Sequence, residues 1–302
     1  MCSSRSCSGA GVRSLLLLAL SLAACGDSRR GDDDDTVGAD GDADADADGD
    51  DGGGGEGEGE LDGGGDADAD GDADVYDGQP GEFTLDADGR AYRLYVPSGY
   101  SADAAIPLLV GFHGAGDDGA NFYQIVAAVG FVQAAEPANF ILIVPDTRSP
   151  YADCAVWSGN PNDDVDEMEA EMDEILAIVD DSSTHYRVDA TQLHAFGFSD
   201  GGLFTAVAGM ARSETFASLS ICGMGWGGSY PLVTPARLIP TQFVCGTADD
   251  FCPMAEDSEA FLAQSGHPTR IETVAGAGHR FSELMTGVPP ADLFAWMQSH
   301  PL

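Results

Sequence analysis

A serine, an aspartate and a histidine, met in that order along a chain of 302 residues, carry the chemistry that this sequence can do. Ser199 lies in Gly197-Phe198-Ser199-Asp200-Gly201, a G-x-S-x-G sequence. It follows the apolar run Leu193-His194-Ala195-Phe196 and leads into Gly201-Gly202-Leu203-Phe204, which reads as the start of a helix. Strand, tight turn and helix are the setting in which a serine is thrust out of the backbone as a nucleophile. Glycines on either side relieve the crowding of such a turn. A helix N-terminus at the serine favours negative charge developing there.

A serine hydroxyl attacks poorly until a base takes its proton. His279, in Gly276-Ala277-Gly278-His279, follows an apolar strand and suits that role. Asp249, in Gly246-Thr247-Ala248-Asp249-Asp250, follows the strand Gln242–Cys245 and suits the task of orienting the imidazole. Asp249 and Asp250 are adjacent, so on an extended segment only one can face the histidine; Asp249, in the Gly-x-x-Asp position, is the expected one. A fourth element is Leu108–Gly116, a buried strand running into the turn His113-Gly114-Ala115-Gly116. Such a turn supplies one backbone N–H for an oxyanion, from Gly114 or Ala115, and Asp200 N–H supplies the other. His113 is expected to brace the turn rather than move protons, and to stand at the wall of the cleft.

Strands and helices must alternate to place these groups. Strands are expected at Tyr92–Val96, Pro107–Phe112, Phe140–Val144, Gln192–Phe198, Phe216–Ile221, Gln242–Cys245 and Ile271–Val274, several of them continuous apolar runs that suit burial on both faces. Helical spacing marks Asn121–Ala135, Asp163–Asp181, Gly201–Ala211, Glu256–Gln264 and Ala291–Ser299. Phe83–Leu85 and Arg90–Val96, joined by Asp88-Gly89, read as a hairpin at a sheet edge. The alternation predicts an α/β domain with a mostly parallel sheet and helices on both faces. Segments 145–162 and 223–239 are the long insertions, which leaves little material for a lid. Trp157 and Trp226 fall in loops after strands, where each either lines the cleft or packs into the fold. Asp163-Asp164 either caps the helix that follows or walls the cleft beside Trp157.

Charge and composition set the surroundings. The chain has 52 acidic and 12 basic residues, a formal charge of −40, and 22 of the acidic ones lie between Asp27 and Gly78. Residues 79–302 still carry 30 acidic and 8 basic residues and no lysine, which argues against nucleic-acid binding. Arg5 and Arg13 precede the apolar run Leu15–Ala24, too short to span a membrane at ~20 residues. Basic start, apolar stretch and small residues describe a secretory signal. Leu22-Ala23-Ala24-Cys25 is similar to the bacterial lipobox, which implies cleavage before Cys25 and a lipid on that cysteine. The reading is thus a signal peptide over 1–24, an acidic Asp/Gly/Ala-rich tether over 25–78, and a catalytic domain over 79–302. The tether cannot bury enough apolar surface to order itself. Within it, Asp66, Asp68, Asp70, Gly71, Asp72, Asp74 and Asp77 match the spacing of an EF-hand loop. No amphipathic helix flanks that window and Asp rather than Glu ends it, so a solvated spacer is expected in preference to a calcium site. No His/Cys/carboxylate cluster has zinc-ligand spacing, so neither metal nor cofactor is called for.

Taken together, Tyr92-Arg93-Leu94-Tyr95-Val96-Pro97, His113-Gly114, Asp163-Asp164-Val165, Gly197–Gly202, Gly246–Asp249 and Gly278-His279 resemble the polyhydroxybutyrate depolymerase and feruloyl esterase group of the α/β-hydrolases, over essentially all of residues 82–298. The resemblance implies an α/β-hydrolase fold and an extracytoplasmic serine esterase acting on polymeric or plant-derived esters. Two positions depart from the group: Cys245, where histidine is common, and Asp200, where alanine is common in the depolymerases. The alternatives left open are a serine peptidase or acyltransferase of the same fold, or a binding protein on a hydrolase scaffold. In an exported domain Cys154, Cys222, Cys245 and Cys252 predict two disulfides, with Cys222–Cys245 and Cys154–Cys252 favoured because Cys222 and Cys245 end neighbouring strands.

Overall fold

A computed structural model describes residues 78–148, 150–151, 154–157 and 165–302, with the backbone alone at 150, 151, 154 and 155. The expected signal, Cys25, the tether with its EF-hand-like window, and Asp163-Asp164 lie outside the described residues.

The first elements are β1 (Gly81–Ala87), β2 (Arg90–Val96) and β3 (Ile106–Phe112), followed by α1 (Gly119–Ala128), α2 (Phe131–Ala138) and β4 (Ile141–Pro145). A two-stranded hairpin, β5 (Pro150–Tyr151) with β6 (Cys154–Ala155), interrupts the alternation. Then come α3 (Val165–His185), β7 (Val188–Phe198), α4 (Asp200–Ala211), β8 (Ser218–Cys222), β9 (Thr241–Gly246), α5 (Cys252–Gln264), β10 (Thr269–Val274), α6 (Phe281–Gly287) and α7 (Pro290–Gln298). Among the described residues eight strands form one sheet in the order β1-β2-β4-β3-β7-β8-β9-β10. Every pairing from β4 to β10 is parallel, and only β2 runs against its neighbours. The edge hairpin turns through Asp88 (φ 51°) and Gly89 (φ 79°), the left-handed pair that a two-residue connection between twisted strands requires.

Continuous apolar sequence explains the parallel strands: β4, β8 and β9 are buried at every position. Successive side chains of a strand point to opposite faces, so each strand feeds two cores. On one face Leu108, Val110, Ile143 and Phe243 meet Met172 and Ile175 of α3, Leu203 and Val207 of α4 and Leu262 of α5. On the other Leu109, Leu142, Phe196 and Val244 meet Phe122 of α1, Phe131 of α2, Phe281 of α6 and Phe294 of α7. The apolar period over Asn121–Ala135 predicts one helix, but the chain breaks at Gly130, whose φ of 109° ends α1 and starts α2.

The disulfide pairing differs from the expected one. Cys245 is bonded to Cys252, and Cys222 is a buried free thiol. β8 and β9 are neighbours as expected, but Cys222 is in register with Val244, one residue short of Cys245. That single residue sends the two sulfurs to opposite faces of the sheet, so they cannot meet. Burial pushes the Cys222 thiol up to about 12, which keeps it protonated and inert.

Candidate active site

Four strands deliver the site from their C-terminal ends, the edge where open α/β sheets hold their ligands. Ser199 stands between β7 and α4 with φ 55° and ψ −117°, a backbone state costly to a non-glycine residue. It is held there from both sides. Ser199 N–H donates to Cys222 O at 2.9 Å, and Ser199 O accepts from Leu203 N–H at 3.0 Å. The turn also requires its glycines: a Cβ on Gly197 would lie 2.1 Å from Gly201 O, and one on Gly201 would lie 2.4 Å from Phe112 O and His113 O.

The three residues singled out from the sequence come together at this turn. His279 Nε2 is 2.8 Å from Ser199 Oγ, and His279 Nδ1 is 2.9 Å from Asp249 Oδ2. The geometry suits one tautomer, with Nδ1–H donating to the carboxylate and Nε2 accepting from the serine hydroxyl. The second oxygen, Asp249 Oδ1, accepts from Phe251 N–H at 2.9 Å. Asp249's side chain has no exposed surface while that of His279 is 28 % exposed, so the carboxylate is shielded and the imidazole reaches solvent. Asp250 is exposed and outside this chain of bonds. The imidazole is clasped between Phe198, at 5.0 Å, and Phe251, at 4.8 Å between ring centres. Its loop is tied down by Glu283, whose Oε2 accepts from Gly278 N–H at 2.7 Å. Neither Phe251 nor Glu283 was expected from the sequence; the signal available was their place beside Asp249 and at the head of an unrecognised helix, α6.

The expected oxyanion turn packs directly on the serine: a Cβ on Gly114 would sit 3.5 Å from Ser199 Cβ. Ala115 is buried beside it, and Asp200 heads α4, where an N–H has no intrahelical carbonyl to bond. The amides of Gly114, Ala115 and Asp200 therefore belong to two elements that meet at Ser199. His113 is wholly buried rather than at the wall of a cleft. Its ring Nδ1 lies 2.8 Å from Gly114 O, within donor reach, and Nε2 faces Asp146 Oδ1 at 3.5 Å, beyond a normal hydrogen bond. Burial pushes the Asp146 carboxyl up, but His113 and the amides of Thr147 and Gly119 outweigh it and hold it below the usual range.

Trp157 is also a correction. It is 1 % exposed and belongs to the core behind the site, stacked on Phe204 at 5.0 Å and edge-on to Phe112 at 5.1 Å. Its indole N–H donates to His113 O at 3.1 Å, so it fixes the His113–Gly116 turn from below instead of lining a cleft. Trp226 is half-buried, packs on Phe243 and donates its indole N–H to Ser229 O. It is not among the residues lining the cleft.

That cleft, about 550 Å³, opens beside His279 between α1 and the start of α6. Ala115, Phe122, Ile125, Phe198 and Phe281 give it apolar walls, and Asp117, Asn121 and Arg280 supply the polar groups. No group of three His, Cys, Asp or Glu among the described residues is placed to hold a metal ion.

Solved structures of similar fold include esterases and serine hydrolases. A thermostable esterase superposes with a TM-score of 0.55 at 21 % identity, over 76 % of this chain and 64 % of its own. The fluorophosphonate-binding serine hydrolase FphF of Staphylococcus aureus gives 0.55 at 14 % identity, over 73 % of this chain and 99 % of its own. A CE1 ferulic acid esterase from Anaeromyces mucronatus, solved with ferulic acid, gives 0.51 at 15 % identity, over 73 % and 89 %. The fold is that of the α/β-hydrolases. The match to the thermostable esterase spans less than two thirds of that protein, and identities this low establish the fold alone. No protein-family model matches the chain, and no curated protein matches it in sequence.

Proposed function

We propose that this chain is a carboxylic ester hydrolase in which Ser199 is the nucleophile, His279 the general base and acid, and Asp249 the residue that orients the imidazole. The observation that carries this reading is the unbroken chain of hydrogen bonds from Asp249 Oδ2 through His279 to Ser199 Oγ, ending beside an apolar cleft. In the forward step Ser199 Oγ bonds to the ester carbonyl carbon while its proton passes to His279 Nε2. The carbonyl electron pair moves onto oxygen, where the amides of Asp200 and of Gly114 or Ala115 receive it. Collapse expels the alkoxide, which takes the proton from His279 and leaves an acyl-serine. Water repeats the sequence, giving up its proton to His279 and releasing the acid.

The substrate we assign is a polymeric or plant-derived ester, as the sequence resemblance to polyhydroxybutyrate depolymerases and feruloyl esterases implies. The apolar cleft supports it, because an aryl or alkyl group of the ester finds aromatic walls beside His279 and the Gly114–Gly116 turn. The ferulic acid complex of the Anaeromyces enzyme, on the same fold, points the same way. Export and lipid attachment through Cys25 form part of the proposal. The lipobox-like Leu22–Cys25 supports them, as does the Cys245–Cys252 disulfide, a bond that persists in oxidising compartments.

The deciding experiment sets the purified chain on methyl ferulate, acetylated xylan, short p-nitrophenyl esters and polyhydroxybutyrate, beside Ser199→Ala. Turnover of an aryl or polymeric ester by the parent and none by the variant supports the proposal; equal turnover by both refutes it. Mass spectrometry of the native N-terminus should find a lipid-modified Cys25, and an unmodified start elsewhere removes the anchor.

A further inference from the structure

Asp249 does not sit on a simple turn. Cys245 lies one residue from the end of β9 and Cys252 opens α5, and their disulfide closes the loop from Gly246 to Phe251 at a sequence separation of 7. We propose that this disulfide is a positioning element for the catalytic step, holding Asp249 and Phe251 against His279; the inference rests on the roles assigned to Ser199, His279 and Asp249 above.

The loop is bonded inward at each turn. Asp249 N–H donates to Gly246 O at 3.0 Å and Cys252 N–H donates to Asp249 O at 3.1 Å. One carboxylate oxygen of Asp249 is held by Phe251 N–H at 2.9 Å, which leaves the other for His279 at 2.9 Å. Phe251, the residue before Cys252, lays its ring against the imidazole. The same loop is zipped to the histidine loop: Thr247 N–H to Val274 O at 2.9 Å, Ala248 N–H to Ala277 O at 2.9 Å, and Gly276 N–H to Thr247 Oγ1 at 2.8 Å.

The sulfur bridge adds a covalent tie to the hydrogen bonds at the far end of this loop. Phe251, the residue that caps α5, makes no side-chain capping bond, so the first turn of the helix has no such tie to the loop. Cys245 is fully buried in the sheet and Cys252 nearly so, and the bridge pins the first residue of α5 to the last turn of β9. Closing a short loop removes alternative conformations that the free loop would visit. Alignment is what the triad needs, because a shift of ~1 Å in a reacting group costs on the order of 100-fold in rate. This also accounts for the cysteine at 245, where the resemblance leads one to expect histidine.

The test uses the full chain carrying Cys245→Ser and Cys252→Ser together. Its circular dichroism spectrum should match the parent, while kcat on p-nitrophenyl acetate falls about 10- to 100-fold and KM stays within about twofold. The downfield proton resonance of His279 Nδ1–H reports its bond to Asp249 whether or not an ester is turned over. It should broaden or vanish in the same variant. If the double variant does not fold, reducing the folded parent with a phosphine and reoxidising it should lower and then restore both readouts. An unchanged kcat with the resonance intact overturns the proposal, as does a loss of kcat that only tracks the unfolded fraction. A parent that shows the resonance but hydrolyses no ester refutes the hydrolase reading instead, and the resonance then still decides the role of the disulfide.

Discussion

The carboxylate of Asp200, the residue directly after Ser199, accepts the main-chain N–H of Trp157 at 2.6 Å. Both groups are buried, and the bond ties the loop that crosses the back of the site to the first turn of α4. This explains why an aspartate stands where alanine is common in the depolymerases that the sequence resembles. In the mechanism proposed above the oxyanion donor at this position is the amide, which any residue supplies. Asp200→Ala should therefore cost about 1–3 kcal/mol of stability by stranding a buried N–H, and leave kcat on a small ester nearly intact below the melting transition. Chemical denaturation alongside steady-state kinetics checks both parts.

Adjacent aspartates provide an internal control. Asp249 is shielded and bonded to His279, whereas Asp250 is exposed. Asp249→Asn should lower kcat by roughly 10⁴-fold, the scale set by a wrongly held imidazole, and Asp250→Asn should leave it within a factor of two or so. Hydrolysis of p-nitrophenyl acetate measures both; a dead Asp250→Asn would move the acid by one residue.

Behind the oxyanion turn, Arg90 reaches Asp146 O at 2.7 Å, Glu171 at 2.6 Å and Glu174 at 2.7 Å with its side chain 1 % exposed. Arg90→Met leaves Glu171 beside an empty charge site and should cost about 3–5 kcal/mol. Glu174, half-exposed, should matter far less: Glu174→Gln is expected to cost under about 1 kcal/mol. Thermal unfolding of the two variants separates these values.

Acid sensitivity should trace to His194. Its ring nitrogens lie 2.9 Å from Ser218 Oγ and 2.8 Å from Gln192 Oε1 in the interior, and burial, helped by the charge of His300, pushes it down to about 4 from 6.5. Between those two values the unfolded chain holds a proton that the folded one lacks. Stability therefore rises with pH through this window and declines as pH falls, by about 3 kcal/mol in total at pH 4. His194→Gln should be less stable at pH 7 but show a flatter dependence from pH 6.5 to 4 in urea titrations.

How much of this could be read beforehand follows from which features are local. Gly197–Gly201 announces its own turn, because the crowding that demands its glycines lies within the turn and in the strand beside it. Asp249 and His279 were legible as residues of the loops just beyond two strands, a place set by the sheet. Cys222 and Cys245 were misjudged because their pairing depends on register between strands, and one residue reverses the face. Trp157 was ambiguous because its loop has no period to show which way a side chain turns. The break at Gly130 was missed since the apolar spacing runs through it, and only its positive φ ends the helix.

One consequence of the sheet order concerns how the molecule can be held. β1 is the edge strand, and it runs in the same direction as β4 because β2 opposes both. Its first residue, Gly81, therefore lies at the end of the sheet opposite the serine, and Gln79, just before it, is fastened there by Tyr186 Oη at 3.0 Å. A molecule grafted through Gln79 itself would thus stand with that end of its sheet toward the support and the edge bearing Ser199 outward. Immobilised that way, it meets a film or a particle brought to it from the front.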